Sequence, residues 1–298
     1  MTVARQIGSA IRGLAAGDAL GVPWETAPPA QVDRDRLFEL PAGRWPSGTT
    51  SDDTAQMMIV ARLLADTAGS PAAPEFMRRL AAEAGDMRGI GSTTRRAVEE
   101  FTATGRLPSE PGRATNGAAM RMAPVGWMVP PGDPVRRRAL VRELSRGTHT
   151  HPVAIGAASI VTAMATWALE DPDRILAAAV EEAEHLGLPE FEAVRQAASG
   201  TWTPPPGGIP TQAAPTIAAV VHVVRDSTDL ATALVHAVGL GGDTDTVAAI
   251  AGGILGGVPD QPPPPWWSRV LFPEEQEVAR LAGRLAELRG LSIPKSAL

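Results

Sequence analysis

Two acidic clusters, Ser51-Asp52-Asp53-Thr54 and Gly241-Gly242-Asp243-Thr244-Asp245-Thr246, stand far apart in a chain of 298 residues. Their four Asp carboxylates and the hydroxyls beside them are oxygen donors of the kind that hard cations such as Mg²⁺ prefer. Brought together in space, they read as two halves of one metal site. Two ions about 3.5–4 Å apart in such a site bind a substrate diol and activate water. Each cluster also reads as a helix start, because Ser, Thr and Asp cap helices and acidic residues suit the positive end of the helix dipole. The two readings are compatible. In an extended lead-in to a helix that begins at Thr246 or Val247, Asp243 and Asp245 point to the same side, since side chains alternate with period two. Capping accounts for only one of them.

Other templates fit less well. Counted from Asp243 as an EF-hand loop, Ala248 stands where Gly is needed and Ile254 where the bidentate Glu belongs. A DDxxD diphosphate site fails at Gln56. Gly239, Gly241 and Gly242 precede the second cluster and Gly252, Gly253, Gly256 and Gly257 follow it; they read either as close approach to a ligand or as helix packing. Among the histidines, His149 reads as a hydrogen-bonding group, His151 as the residue before a helix opened by Pro152, and His185, His222 and His236 as structural. Asp171 and Asp173 flank Pro172 and read as a cap.

The elements that must position these residues are helical. Val3, Ile7, Ile11 and Leu14 form one apolar stripe on a first helix expected to stop near Gly17. A second helix is expected over 54–68, and the same pattern recurs at 74–84, 92–104, 135–146, 152–169, 173–186, 213–224, 229–238, 246–255 and 274–289. No alternating strand pattern stands out. Pro- and Gly-rich stretches, such as Thr203 to Pro210 and Pro259 to Pro265, are scattered as inter-helix loops. The expectation is an all-α, compact single-domain orthogonal helical bundle over residues 1–298.

Composition sets the limits. Hydrophobic residues make up 44%, enough for a sizeable core, whereas aromatics make up 4% with no Tyr. A net charge of −6 argues against a nucleic-acid footprint, and the Arg136-Arg137-Arg138 run reads as a solvated helix face. The lack of Cys excludes disulfides, thiolate zinc sites and Cys nucleophiles. Arg5, Arg12 and Asp18 interrupt the amino-terminal apolar pattern, and no stretch is read as approaching the roughly 18–20 uncharged residues of a membrane span. A cytoplasmic protein is expected.

Six blocks carry a further signal. Gly17-Asp18-Ala19-Leu20-Gly21 with Glu25, Ser51 to Thr54, Arg88-Gly89-Ile90-Gly91, Asn116-Gly117-Ala118-Ala119-Met120-Arg121, Thr148-His149, and Gly241 to Thr246 resemble, in order, the motifs of the ADP-ribosylglycohydrolases. The resemblance implies an all-helical fold with a binuclear Mg²⁺ or Mn²⁺ centre at one end. It implies hydrolysis of the N- or O-glycosidic bond joining ADP-ribose to an arginine or serine side chain or to another small leaving group. The partner is then an ADP-ribosylated protein or a small ADP-ribosyl conjugate, and ADP-ribose is the product. By position, Ser51, Asp52, Asp53, Asp243, Asp245 and Thr246 match the metal ligands, and Glu25, with Asp52, Asp53 and Asp245, the catalytic set. Arg88, Gly89, Gly91, Asn116, Gly117, His149, Gly241 and Gly242 match substrate contacts.

This assignment agrees with the chemistry. Opening a bond at C1 of ribose develops positive charge on the sugar, so the site needs held hydroxyls, a placed water and a carboxylate for proton transfer. Glu25 is suited either to protonate the leaving group or to deprotonate water. Asn116 and Gly117 are suited to bind phosphate or ribose, because backbone N–H groups beside glycine form anion-binding concavities. Family members often stack adenine on an aromatic ring; without Tyr the candidates are Trp and Phe, with Trp24 next to Glu25 and Trp127, Trp167, Trp202, Trp266 and Trp267 read as packing residues. Two other classes compete: a non-catalytic ADP-ribose-binding or crystallin-like protein, and a Mg²⁺-dependent phosphohydrolase or prenyl-diphosphate enzyme.

Overall fold

Apolar residues spaced three and four apart fold the chain into helices that bury one continuous core, reaching from Ile7 to Leu288. The computed structural model describes residues 1–291; residues 292–298 of the expected domain lie outside the described part. In chain order the helices are α1 (Val3–Gly21), α2 (Asp52–Asp66), α3 (Ala73–Glu83), α4 (Ser92–Thr104), α5 (Ala123–Met128), α6 (Pro134–Ser145) and α7 (Pro152–Glu170). They continue with α8 (Ile175–Leu186), α9 (Glu192–Ser199), α10 (Ala213–Asp226), α11 (Leu230–Gly239), α12 (Thr244–Leu255) and α13 (Glu275–Leu291). Among the described residues there are isolated β-bridges and no named strand. The architecture is an all-α orthogonal helical bundle in a single compact domain.

Helix ends follow local chemistry. Asp133 caps α6 by accepting from the Arg136 N–H ahead of Pro134, and Asp229 caps α11 through the Thr232 N–H. Gly105, Gly187 and Gly200 close α4, α8 and α9 in the left-handed conformation. The histidine and DxD readings fit: His151 accepts from the Val153 N–H at the start of α7, and Asp171 accepts from the Asp173 N–H.

Several expectations are corrected. The first helix does not stop at Gly17 but runs to Gly21. Gly13, Gly17 and Gly21 lie one turn apart on the face that meets α12, where a Cβ at Gly13 would lie 2.4 Å from the Gly252 carbonyl and one at Gly17 only 2.2 Å from that of Ala248. Gly252 and Gly256 answer from the other side, against Gly13 and Ser9. These glycines serve helix packing: α1 and α12 touch backbone to backbone. Helices α5 and α9 escaped the periodicity because α5 has six residues, including Pro124 and Gly126, and α9 has eight.

The arginine run is not simply solvated. Arg137 and Glu182 are both buried and paired at 2.7 Å, and Arg138 reaches the same carboxylate at 2.8 Å. The membrane reading also changes. Helix α7, with a mean hydropathy of 1.6, is long and apolar enough to cross a bilayer, yet 83% of that window is buried inside the protein, where α7 packs against α5, α6 and α8. Trp127 and Trp266 are fully buried and donate their indole N–H groups to the carbonyls of Gly253 and Ala16, as packing residues should.

Candidate active site

The glycine seam brings the start of α12 against the end of α1. At Gly21 a Cβ would lie 2.4 Å from the Asp245 backbone, and the Thr244 hydroxyl donates to the Gly21 carbonyl at 2.9 Å. Helix α2 starts beside them. Ser51 caps it by accepting from the Asp53 N–H at 3.2 Å, and the Ser51 hydroxyl donates to Asp53 Oδ2 at 3.1 Å. Asp52 and Asp53 occupy the first turn of α2, and Asp245 the first turn of α12. Both helix N-termini therefore turn their positive ends toward the same acidic space. The two clusters touch where Thr246 Oγ1 donates to Asp53 Oδ2 at 3.4 Å.

Helix α12 begins at Thr244, not at Thr246, so period-two alternation is not what aligns Asp243 with Asp245. Asp243 stands at the capping position without capping; its carboxylate turns aside and accepts from Asn116 Nδ2. Gly241 and Gly242, with φ of +69° and +76°, form the turn that leads into Asp243. Neither lines the cleft. They are pinned by loops: Gly242 N–H donates to Ala27 O, Thr26 N–H to Gly242 O, and Ile209 N–H to Gly241 O.

The same stitching holds the opposite wall. Asn116 N–H donates to Thr211 O, and Ala213 N–H to Ala114 O. Asn116 lines the cleft, but its backbone N–H is committed to Thr211 and its amide to Thr216 and Asp243. Its N–H groups are spent inside the protein, where they orient Asp243, and Oδ1 is the atom left to face the cleft. Gly117 is small because His149 lies on it: a Cβ there would be 2.8 Å from the imidazole Cε1.

The cleft, of about 170 Å³, is lined by Glu25, Asp52, Asp53, Asp243, Asp245 and Thr246 on one side and by Gly89, Gly91, Asn116, Gly117 and His149 on the other. Arg88 is exposed and stands outside the lining, as does Ser51, which is buried behind Asp53. Sequence reasoning missed the hydroxyl rim of Ser92, Thr93, Thr94, Thr115 and Thr211; the run Ser92-Thr93-Thr94 read only as a helix start. It also missed Trp45, whose ring edge approaches Gly89 and carries the Arg44 guanidinium 5.2 Å above it. Trp24 does not line the cleft.

Asp18 is the largest omission, since the Gly17–Gly21 block was noted without a role for it. It is fully buried and accepts from the Ser51 N–H at 3.0 Å, the Thr54 N–H at 3.1 Å and the Thr54 hydroxyl at 2.5 Å. It thus anchors the first turn of α2 from behind.

Negative charge here is buried and crowded. Burial, then repulsion by Asp18 and Asp243, pushes Asp52 up to about 7. Burial and the neighbouring carboxylates hold Asp53 and Asp245 well above the usual range. Asp243 is raised by burial against the pull of its Asn116 bond. Glu25 is raised by burial and by Asp243, with Arg44 opposing. Burial raises Asp18 to about 6 even though its hydrogen bonds pull it down.

Carboxylates in this condition suit cations. The described His, Asp and Glu side chains do not gather into a closed cage of three or more, so the fit rests on the donor chemistry. Asp53 Oδ1 is buried with no hydrogen-bond partner, an orphan acceptor of the kind that a divalent ion satisfies. The Thr246 hydroxyl lies beside it, and Asp52 and Asp245 face the same cleft. The residues present fit a divalent metal.

Comparisons with known proteins bear on the family and the fold. The ADP-ribosyl-[dinitrogen reductase] glycohydrolase of Rhodospirillum rubrum is 29% identical over 295 residues, covering 95% of this chain and 96% of that protein. An uncharacterized protein of Archaeoglobus fulgidus is 28% identical over 278 residues, covering 83% and 85%. A solved structure described as an ADP-ribosylglycohydrolase-related protein complex superposes with a TM-score of 0.81 at 30% identity, covering 98% of this chain and 99% of that one. The profile of the family described as ADP-ribosylglycohydrolase matches residues 2–294, and the chain belongs to that family.

Proposed function

We propose that the cleft hydrolyses the N- or O-glycosidic bond between ADP-ribose and an arginine or serine side chain, or a related small leaving group, with two Mg²⁺ or Mn²⁺ ions as cofactors. One observation carries the reading: two acidic helix N-termini meet at Asp53, whose Oδ1 is buried without a partner. Ser51, Asp52, Asp53, Asp243, Asp245 and Thr246 would hold the ions. Bound there, divalent cations supply the positive charge that orients ribose hydroxyls and acidifies water.

The chain's own groups do the rest. Glu25 sits at the cleft mouth with a carboxyl raised by burial and by Asp243, which suits it to hold and pass a proton at the scissile bond. Asn116 keeps Asp243 turned toward the cations. The hydroxyl rim supplies hydrogen bonds along the nucleotide, with His149 holding Thr115 in that rim.

A second cavity, of about 530 Å³, adjoins the cleft across Ser92 and Thr93 and is flanked by Arg96 and Arg113. Its volume suits a nucleotide-sized group, and we assign the ADP half of the substrate to it. Neither cavity is lined by a Phe or Trp ring. An arginine guanidinium, which pairs with phosphate and stacks on flat rings, takes that place.

The test is release of free ADP-ribose from arginine- and serine-linked ADP-ribosyl peptides, in parallel with Mg²⁺, Mn²⁺ and EDTA. Metal-dependent release from one of them is expected. No release under any condition, together with no ADP-ribose binding by calorimetry, overturns the reading.

A further inference from the structure

One buried cation has no part in the mechanism above. Arg121 is fully buried, and its guanidinium stacks 4.6 Å from the centroid of the Phe76 ring. Its Nη donors go to neutral acceptors, Nη1 to Gln56 Oε1 at 2.8 Å and Nη2 to Thr148 Oγ1 at 2.8 Å and Leu144 O at 3.4 Å, and its Nε is buried without a hydrogen-bond partner. Placing a guanidinium in the interior without a directly paired carboxylate is costly, so its location between the two halves of the cleft calls for a reason.

Arginine donates and never accepts, so each group it touches must turn an acceptor toward it. On one side, Gln56 must turn its carbonyl to Arg121, and its Nε2 then donates to Asp52 Oδ2 at 2.6 Å. Asp52 Oδ1 remains on the Gly89 side, 3.3 Å from where a Gly89 Cβ would stand. On the other side, Thr148 Oγ1 accepts from Arg121 and lies 2.7 Å from His149 Nδ1. At its far edge the imidazole meets Thr115 Oγ1 at 3.0 Å, and because the Thr115 proton goes to Thr93, Nε2 is the donor and Nδ1 is left to accept from Thr148. Thr115 in turn donates to Thr93 Oγ1 at 3.3 Å. Both threonines line the cleft.

We infer that Arg121 is a positioning residue that sets the hydrogen-bond polarity of both walls of the cleft. It presents Asp52 Oδ1 as the free acceptor on the cation side and His149 as the Nε2–H tautomer on the nucleotide side. The assignment of ligands to the two walls rests on the proposed function; the polarity itself does not.

The experiment uses the full chain with three probes: Mn²⁺ alone, ADP-ribose alone, and the ¹⁵N shifts of the His149 ring in ligand-free protein. Gln56→Met cuts one arm and is expected to weaken Mn²⁺ about 10–100-fold, as loss of a partner behind a metal ligand does, with the His149 shifts unchanged. Thr148→Val cuts the other arm and is expected to mix in the Nδ1–H form and weaken ADP-ribose, with Mn²⁺ affinity kept; Thr148→Ser restores the wild-type shifts. Arg121→Lys, if it folds, combines the two losses. The inference falls if ligand-free wild-type protein shows the Nδ1–H form, or if both arm variants bind both probes as wild type does. Failure of wild-type protein to bind ADP-ribose counts against the hydrolase reading alone, and the Mn²⁺ and ¹⁵N results still decide the role of Arg121.

Discussion

Gly21 lies so close to Asp245 that a single added methyl group would meet the Asp245 Cα and N at 2.4 Å. The end of α1 thereby fixes where the second acidic cluster begins. Because the obstacle is backbone, it cannot swing aside as a flexible side chain would. Gly21→Ala is expected to cost at least the roughly 1–3 kcal/mol typical of overpacking and to weaken Mn²⁺ binding by displacing Asp245. Gly283→Ala, in α13 with nothing within 4 Å of the new Cβ, is expected to be neutral or stabilising. Thermal unfolding of the two variants side by side checks the contrast; equal melting temperatures would show that α1 and α12 tolerate separation.

Asp18 accepts three hydrogen bonds from the first turn of α2 and makes no contact with the cleft. In Asp18→Asn, one of the two accepting oxygens becomes an NH₂ facing donors. A destabilisation of about 1–3 kcal/mol follows from leaving buried groups unpaired, together with weaker Mn²⁺ binding because Ser51 to Asp53 lose their anchor. Calorimetry on the folded variant reads the second effect; unchanged affinity would limit Asp18 to a role in stability.

The crowded carboxylates make the metal-free protein sensitive to pH in a definite direction. Asp52 has a folded-state value of about 7 against 3.8 unfolded, and Asp18 about 6 against 3.8. Between these limits the folded protein retains protons that the unfolded chain gives up, so the stability these two groups contribute is fully present below about pH 4 and is lost as pH rises through 6 and 7. Melting temperature measured in EDTA is expected to decline over that window, and Asp52→Asn to flatten the decline. At neutral pH the variant is expected to melt higher than wild type in EDTA, by about 2–4 °C for each kcal/mol of repulsion removed, and to lose the stabilisation that Mn²⁺ gives. A melting temperature that rises across the window would contradict the raised carboxyls.

Glu25 is separable from the cation-holding residues because it stands at the cleft mouth on a loop. Glu25→Gln is expected to lower ADP-ribose release by about 10²–10⁴-fold, the usual worth of a proton-transferring group, while Mn²⁺ affinity stays within a few-fold. Loss of Mn²⁺ binding in this variant would move Glu25 from proton transfer to cation coordination.

Much of this was legible in the sequence, for identifiable reasons. Helix periodicity located the long amphipathic elements, and α4 fell on the expected residues because Gly91 and Gly105 bracket it. The pairing of Asp52 and Asp53 with Asp243 and Asp245 followed from donor chemistry alone. What escaped was whatever depends on a partner distant in sequence. Gly17 read as a helix stop because its use, contact with Ala248, lies on another helix. Asp18 and Arg121 sat in noted blocks without roles, because nothing local distinguishes a buried carboxylate or guanidinium that holds up a neighbour from one on the surface. Nor does the sequence around Asn116 reveal its partners inside the protein, Thr211, Thr216 and Asp243, which all lie well downstream.

The backbone seam between α1 and α12 also bears on how the chain acquires its cleft. Contacts such as Gly13 with Gly252 and Gly21 with Asp245 span nearly the whole polypeptide, and closing so large a loop costs entropy that only those contacts repay. An amino-terminal fragment carrying Asp52 and Asp53 and a carboxy-terminal fragment carrying Asp243 and Asp245 each hold half the oxygen donors and none of the scaffold that faces them together. During synthesis the first helix waits for nearly the last one, so the cleft matures late in folding, as a consequence of topology and not of any local sequence.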